Sequence, residues 1–96
     1  METFAAIADP TRRQIIETLA QHGQMSASDI SARFDISKSG ISQHLKILKD
    51  SGLVEMEAKA QFRFYRLRPE ALEQTAAWLI RMRWQWSQTV SRVEAE

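Results

Sequence analysis

The stretch Asp35–Val54, "DISKSGISQHLKILKDSGLV", decides how this chain folds. Ser37 can cap a helix that runs from about Lys38 to Ser51 and stops at Gly52. With about 100° per residue, Ile41, Leu45 and Leu48 fall on one stripe. The opposite side carries Ser39, Gln43 and Lys46, flanked by Ser42 and Lys49. His44 sits beside the apolar stripe and Ile47 lies off it. One face is made for burial; the other is polar, basic and almost free of acid.

Upstream, "MSASDISARF" (25–34) is a second helical signal. Ser26 followed three residues later by Asp29 resembles a capping box, and the helix dipole favours that acid. Ala27, Ile30 and Phe34 then share a side over about two turns. Asp35, Ile36 and Ser37 are left as a three-residue turn, so residues 26–51 read as a helix-turn-helix. Further upstream, "FAAIADPTRRQIIETLAQHG" (4–23) starts a helix at Asp9 and Pro10 and ends it at Gly23, with Ile15, Ile16 and Leu19 as its apolar face. Phe4, Ala5 and Ile7 suggest a short helix before that boundary.

Downstream the period changes. "LVEMEAKAQFRFYRLRP" (53–69) alternates Val54, Met56 and Ala58 against Glu55, Glu57 and Lys59, then resumes with Phe62, Phe64, Tyr65 and Leu67. A two-stranded hairpin with its tip near Lys59–Gln61 is expected, a wing over about 53–68. Pro69 ends it, and a last helix occupies about 70–93. The whole chain of 96 residues is expected to form one mainly α, winged helix-turn-helix domain.

A net charge of +1 argues for little, but its distribution is informative. From Ser37 to Arg68 seven bases face three acids, a net +4, whereas the flanking segments carry −2 and −1. Positive charge in the middle third suits a polyanion, though a solvated lysine-rich face would look the same. A B-DNA major groove admits one α-helix, and side chains near its N-terminus reach base edges. Glutamine can pair bidentately with adenine, serine serves bases or phosphates, and lysine suits guanine or phosphate. The hairpin would put Lys59, Gln61 and Arg63 near the adjacent backbone or minor groove. Each residue also has a plainer reading. Lys46 and Lys49 suit solubility, His44 suits interhelical packing as well as a phosphate, and Arg63 suits a cross-strand pair with Glu57.

Together "ADPTRRQIIETL", "ISKSGISQHLKILKDSGLV" and "FYRL" resemble the ArsR family of winged-helix transcriptional repressors, over roughly Phe4 to Pro69 and most closely its cysteine-free, autorepressor-like branch. The resemblance implies a homodimer whose terminal helices pair while each recognition helix enters a major groove. It maps Ser37, Lys38, Ser39, Ser42, Gln43 and His44 to the DNA-reading segment and Lys59 to Arg63 to the wing. Two positions depart from the pattern. Similar proteins often carry proline where Ser39 stands and glycine where the hairpin tip has Ala60.

Trp78, Trp84 and Trp86 on the last helix are too much aromatic surface to leave wet. Apolar positions about 3.5 apart suit another helix. The expected two-fold interface uses Phe4, Ile7, Leu72, Ala76, Leu79, Met82, Trp86 and Val90. The alternative is that this helix folds back on its own core, as part of it must.

There is no cysteine, which removes disulfides, thiolate metal sites and thiol sensing. The two histidines, His22 and His44, are far apart, and residues 69–96 hold neither histidine nor aspartate, so neither a metal nor another cofactor is expected. No nucleophile–base signature, phosphate-binding glycine loop or paired carboxylates suggest an enzyme. No apolar run approaches the roughly 18–20 residues of a membrane span, and the start lacks a secretory pattern, so a cytoplasmic protein is expected. The expected partners are double-stranded DNA with an inverted repeat and a second copy of the chain. Two other readings remain: a winged helix that docks an acidic protein, and a repressor answering to an unknown small molecule held by the tryptophans.

Overall fold

Asp9 and Pro10 divide the N-terminal segment into two helices, α1 (Thr3–Ala8) and α2 (Pro10–His22), in a computed structural model that describes residues 1–95. Asp9 is extended and its carboxylate accepts from the Arg12 backbone N–H at 3.0 Å, capping α2 while Pro10 fills the first helical position. Glu2 caps α1 in the same manner, accepting from Phe4 and Ala5. Gly23, at φ +85°, ends α2 in a conformation that side chains with a Cβ avoid.

The chain then forms β1 (Gln24–Ser26), α3 (Ala27–Ser31), α4 (Lys38–Asp50), β2 (Val54–Lys59), β3 (Phe62–Leu67) and α5 (Pro69–Ala95). Two features differ from the sequence-based expectation. The wing is a three-stranded antiparallel sheet of order β1-β3-β2, because Gln24–Ser26 pairs with Phe64–Arg66 on the far edge of the hairpin. A three-residue strand is too short to show alternation, and its Ser26 was legible only as a cap. Ser26 does both: it closes β1, and its hydroxyl accepts from the Asp29 N–H at 3.1 Å. The second difference is the turn. Helix α3 ends at Ser31, and i→i+3 bonds from Arg33 to Ile30 and from Phe34 to Ser31 tighten the chain before Asp35. The connection to α4 is therefore longer than three residues.

Helix α4 ends in a Schellman arrangement. The Leu53 N–H donates to the Leu48 carbonyl and the Gly52 N–H to that of Lys49, both at 3.0 Å, with Gly52 at φ +79°. This drops Leu53 and Val54 straight into the core and starts β2. Strands β2 and β3 pair from Val54↔Leu67 to Lys59↔Phe62, leaving Ala60 and Gln61 as a two-residue turn with Ala60 at φ +55°.

The core joins Ile15 and Leu19 of α2, Met25, Ile30, the Ile41–Leu45–Leu48 stripe of α4, Leu53, Val54 and Tyr65, with Ala6 from α1. Helix α5 buries no residue; only Ala71 and Leu72 at its start pack against this cluster. The rest projects. The molecule measures 64 × 24 × 23 Å with a radius of gyration of 17.2 Å, where a compact chain of this length would have about 12–13 Å. None of the described helices is long and apolar enough to cross a membrane.

Candidate nucleic-acid interface

Burial of Ile41, Leu45 and Leu48 fixes which side of α4 faces out. Ser39, Gln43 and Lys46, spaced four and three residues apart, form one exposed row, with Lys38, Ser42 and Lys49 exposed beside it. Three fully buried side chains underneath make this row a rigid presenting surface.

The first turn of α4 is held by hydroxyls. Ser37 is the N-cap, its Oγ accepting from the Gly40 N–H at 3.0 Å, and the Ser37 and Ser39 hydroxyls lie 3.1 Å apart. Ser37 is thus committed to the helix start, with Ser39 linked to it. A Cβ on Gly40 would come within 3.2 Å of the Ser37 Oγ, so glycine here leaves room for the cap. The hydroxyl pair and the cap together order this turn.

His44 is turned inward and half-buried. Its Nδ1 lies 3.4 Å from a terminal nitrogen of Arg12 and 3.9 Å from the Asp9 carboxylate. Of the two sequence-based readings, interhelical packing describes the Nδ1 side of the ring. Asp9 itself is held below the ordinary aspartate value, chiefly because its carboxylate accepts the Arg12 backbone N–H; the charge of Arg12 adds to this, while partial burial opposes it.

On the wing, Lys59, Gln61 and Arg63 are exposed around the turn. Arg63 faces Ala58, whereas Glu57 faces Phe64, so the plainer reading of Arg63, a cross-strand pair with Glu57, does not describe it. Glu57 instead lies 3.9 Å from Lys59. At the root of the wing Glu55 binds Arg66 and reaches Arg68 at 4.0 Å. The central excess of +4 is therefore partly internal. Lys38, Lys46, Lys49 and Arg63 have no carboxylate partner among the described residues, and they mark the cations available to a polyanion. Phe62, read in the sequence only as part of the strand's apolar alternation, is exposed beside the turn, its ring tilted at 44° to that of Phe64 with centroids 6.1 Å apart.

The residues assigned to a subunit interface divide in two. Ile7 and Leu72 are half-buried against the chain's own core. Leu79, Met82 and Trp86 are exposed large apolar side chains along one side of α5, with the exposed Ala76 before them and the half-buried Val90 beyond. Phe4 meets Trp78 edge-on at 5.2 Å, joining α1 to α5. Among the described residues no group of three His, Cys, Asp or Glu could hold a metal ion.

A short helix, a turn, a polar second helix locked over a core and a hairpin beside it define a winged helix-turn-helix. The model of the arsR family of bacterial regulatory proteins matches residues 9–56, and the chain belongs to that family. It is 43% identical over 77 residues to the transcriptional repressor SdpR of Bacillus subtilis, covering 80% of this chain and 84% of that one. An ArsR-like transcriptional regulator from Rhodococcus superposes with a TM-score of 0.81 at 32% identity, over 94% of this chain and 84% of the other. The solution structure of a homodimeric winged helix-turn-helix DNA-binding domain from Mycobacterium bovis gives 0.67 at 27% identity, over 79% and 70%.

Proposed function

We propose that this chain is a homodimeric transcriptional repressor that occupies an inverted-repeat operator in double-stranded DNA. The observation that carries the reading is the row Ser39, Gln43 and Lys46, exposed on a helix whose opposite side is fully buried. Such a row matches what a major groove offers: an amide for adenine, a hydroxyl for bases or phosphates and an ammonium for guanine or phosphate. Ser42, Lys38 and Lys49 extend it toward the flanking backbone. Lys59, Gln61 and Arg63 on the wing serve the neighbouring phosphates or minor groove, positioning the module while α4 specifies the sequence.

The second protomer sits on α5 and α1, through Phe4, Ala76, Leu79, Met82, Trp86 and Val90, with Ile7 and Leu72 supporting from below. Two recognition helices about one helical turn apart, roughly 34–36 Å, read the two half-sites, and linking them makes the second contact intramolecular. Repression is steric, by occupation of promoter DNA in the cytoplasm, and involves no catalysis or metal. Selection of bound duplexes from a random pool, followed by titration at several salt concentrations, tests this. A palindromic consensus and affinity falling steeply with salt are expected. Salt-sensitive binding with no sequence preference would refute the operator reading, and binding only to an acidic protein would replace it.

A further inference from the structure

Arg12 is 8% exposed, the one buried charged side chain among the described residues. Burying a guanidinium costs several kcal/mol unless its N–H groups are paired, and here the pairing spans three helices. From α2, its Nε donates to the Ala6 carbonyl at 2.7 Å, and Nη2 donates to the Ala5 carbonyl at 3.3 Å and approaches the Met1 sulfur at 3.5 Å. Those carbonyls are in the last turn of α1, where acceptors lack helical partners and the dipole favours a cation. The remaining nitrogen, Nη1, points at His44 Nδ1 of α4, 3.4 Å away.

A guanidinium only donates, so in this hydrogen bond Nδ1 is the acceptor, the tautomer that carries its proton on Nε2. The charged groups facing this ring are Arg12 and, 3.9 Å from the same Nδ1, Asp9. Arginine's fork is planar and rigid: one edge is fixed by α1 and the other meets α4. Helix α1 is in turn held to α5 by the Phe4–Trp78 contact. An unbroken series of contacts therefore runs from α5 through Phe4, the α1 carbonyls and Arg12 to His44, the residue next to Gln43. For stability alone an apolar cluster would serve as well. What the buried fork adds is a fixed angle.

We propose that Arg12 and His44 are positioning residues, a joint that sets the roll of α4 against α1 and α5 and so selects the half-site spacing a dimer reads. This rests on the dimeric DNA-binding reading above. The test uses the full chain, with duplexes that keep both half-sites and change their separation by one or two base pairs. The wild type is expected to lose about tenfold or more per step. His44→Phe, which cannot accept, and Arg12→Lys, which has no fork, should flatten that preference to about threefold or less while still binding a single half-site. His44→Asn, whose amide oxygen takes the place of Nδ1, should keep it. A wild-type spacing profile in His44→Phe overturns the proposal. So does equal loss in His44→Asn and His44→Phe, which would assign the effect to the ring itself. Imidazole 15N shifts of the free protein provide a second readout, independent of DNA and of whether a variant folds. An unprotonated, accepting Nδ1 supports the joint, and a protonated Nδ1 removes it. Wild-type protein that binds no duplex would sink the functional reading, and the nitrogen shifts would still decide the hydrogen bond.

Discussion

Trp84 and Trp86 offer an internally controlled test of the subunit interface. They are 65% and 68% exposed, two residues apart, and so about 200° apart around α5. Only Trp86 lies on the side shared with Leu79, Met82 and Val90. A tryptophan side chain buries up to about 250 Å², so covering the exposed two-thirds of Trp86 removes roughly 170 Å² from water. At about 25 cal/mol per Å² that is ~4 kcal/mol if cover is complete and ~2 if it is half. Two-fold symmetry counts each loss twice, so Trp86→Ala should weaken dimerisation by about 4 kcal/mol or more, around a thousandfold in Kd. Trp84→Ala removes the same area from the opposite side and should leave dimerisation within about threefold of wild type. Sedimentation equilibrium across a concentration series, with circular dichroism to confirm helix content, reads both. Equal weakening by the two substitutions, or none by Trp86→Ala, would refute the placement of the two-fold on this face.

Three other outcomes are expected. Gln43→Ala should relax base preference at one position of each half-site with little change in salt dependence, whereas Lys46→Ala should lower affinity for all sequences and reduce the salt slope by about one per protomer; fluorescence anisotropy over a salt series separates them. Ala60→Gly should raise stability by roughly 0.5–1 kcal/mol, because it relieves a side chain held at φ +55° at some cost in chain entropy; thermal melts several degrees higher would show it. Asp9 is held below its ordinary value in the folded state by the Arg12 backbone N–H, with help from the charge of Arg12. Its contribution to stability is therefore present at neutral pH and lost as pH falls through the carboxylate range. Asp9→Ala should cost about 1 kcal/mol at pH 7, Asp9→Asn should keep the cap but not the pH dependence, and denaturant unfolding between neutral and acid pH should bring wild type and Asp9→Asn together.

What was legible in the sequence follows from how long each pattern runs. The Ile41–Leu45–Leu48 stripe spans two turns and is bounded by Ser37 and Gly52, so α4, its caps and its buried face could all be read. The β2–β3 hairpin was legible for the same reason, through alternation on both sides of Ala60. β1 was not, since three residues give no period and Gln24–Ser26 is a strand only because β3 offers it an edge. The end of α3 was equally hidden: Phe34 stands at helical spacing from Ile30, yet the chain there tightens into i→i+3 bonds that place Phe34 near the core by another path.

For the site, composition indicated the central basic segment but could not say which cations are free. Glu55 takes Arg66 and approaches Arg68 through the register of the two strands, a relation between residues eleven and thirteen apart that no local pattern announces. Arg12 was less legible still. On a helical wheel it is one basic residue among others, and only the fold shows its guanidinium between the end of α1 and the recognition helix. The two cases share a cause. A charge on a solvated face acts through its position in sequence, which can be counted. A charge pulled into contact acts through the elements it joins, and those become neighbours only when α1, α2 and α4 share a core. In a domain this small the exposed row of α4 and the buried fork beneath it lie one side chain apart, so the residues that would touch DNA and those that aim them are sequence neighbours at positions 43 and 44.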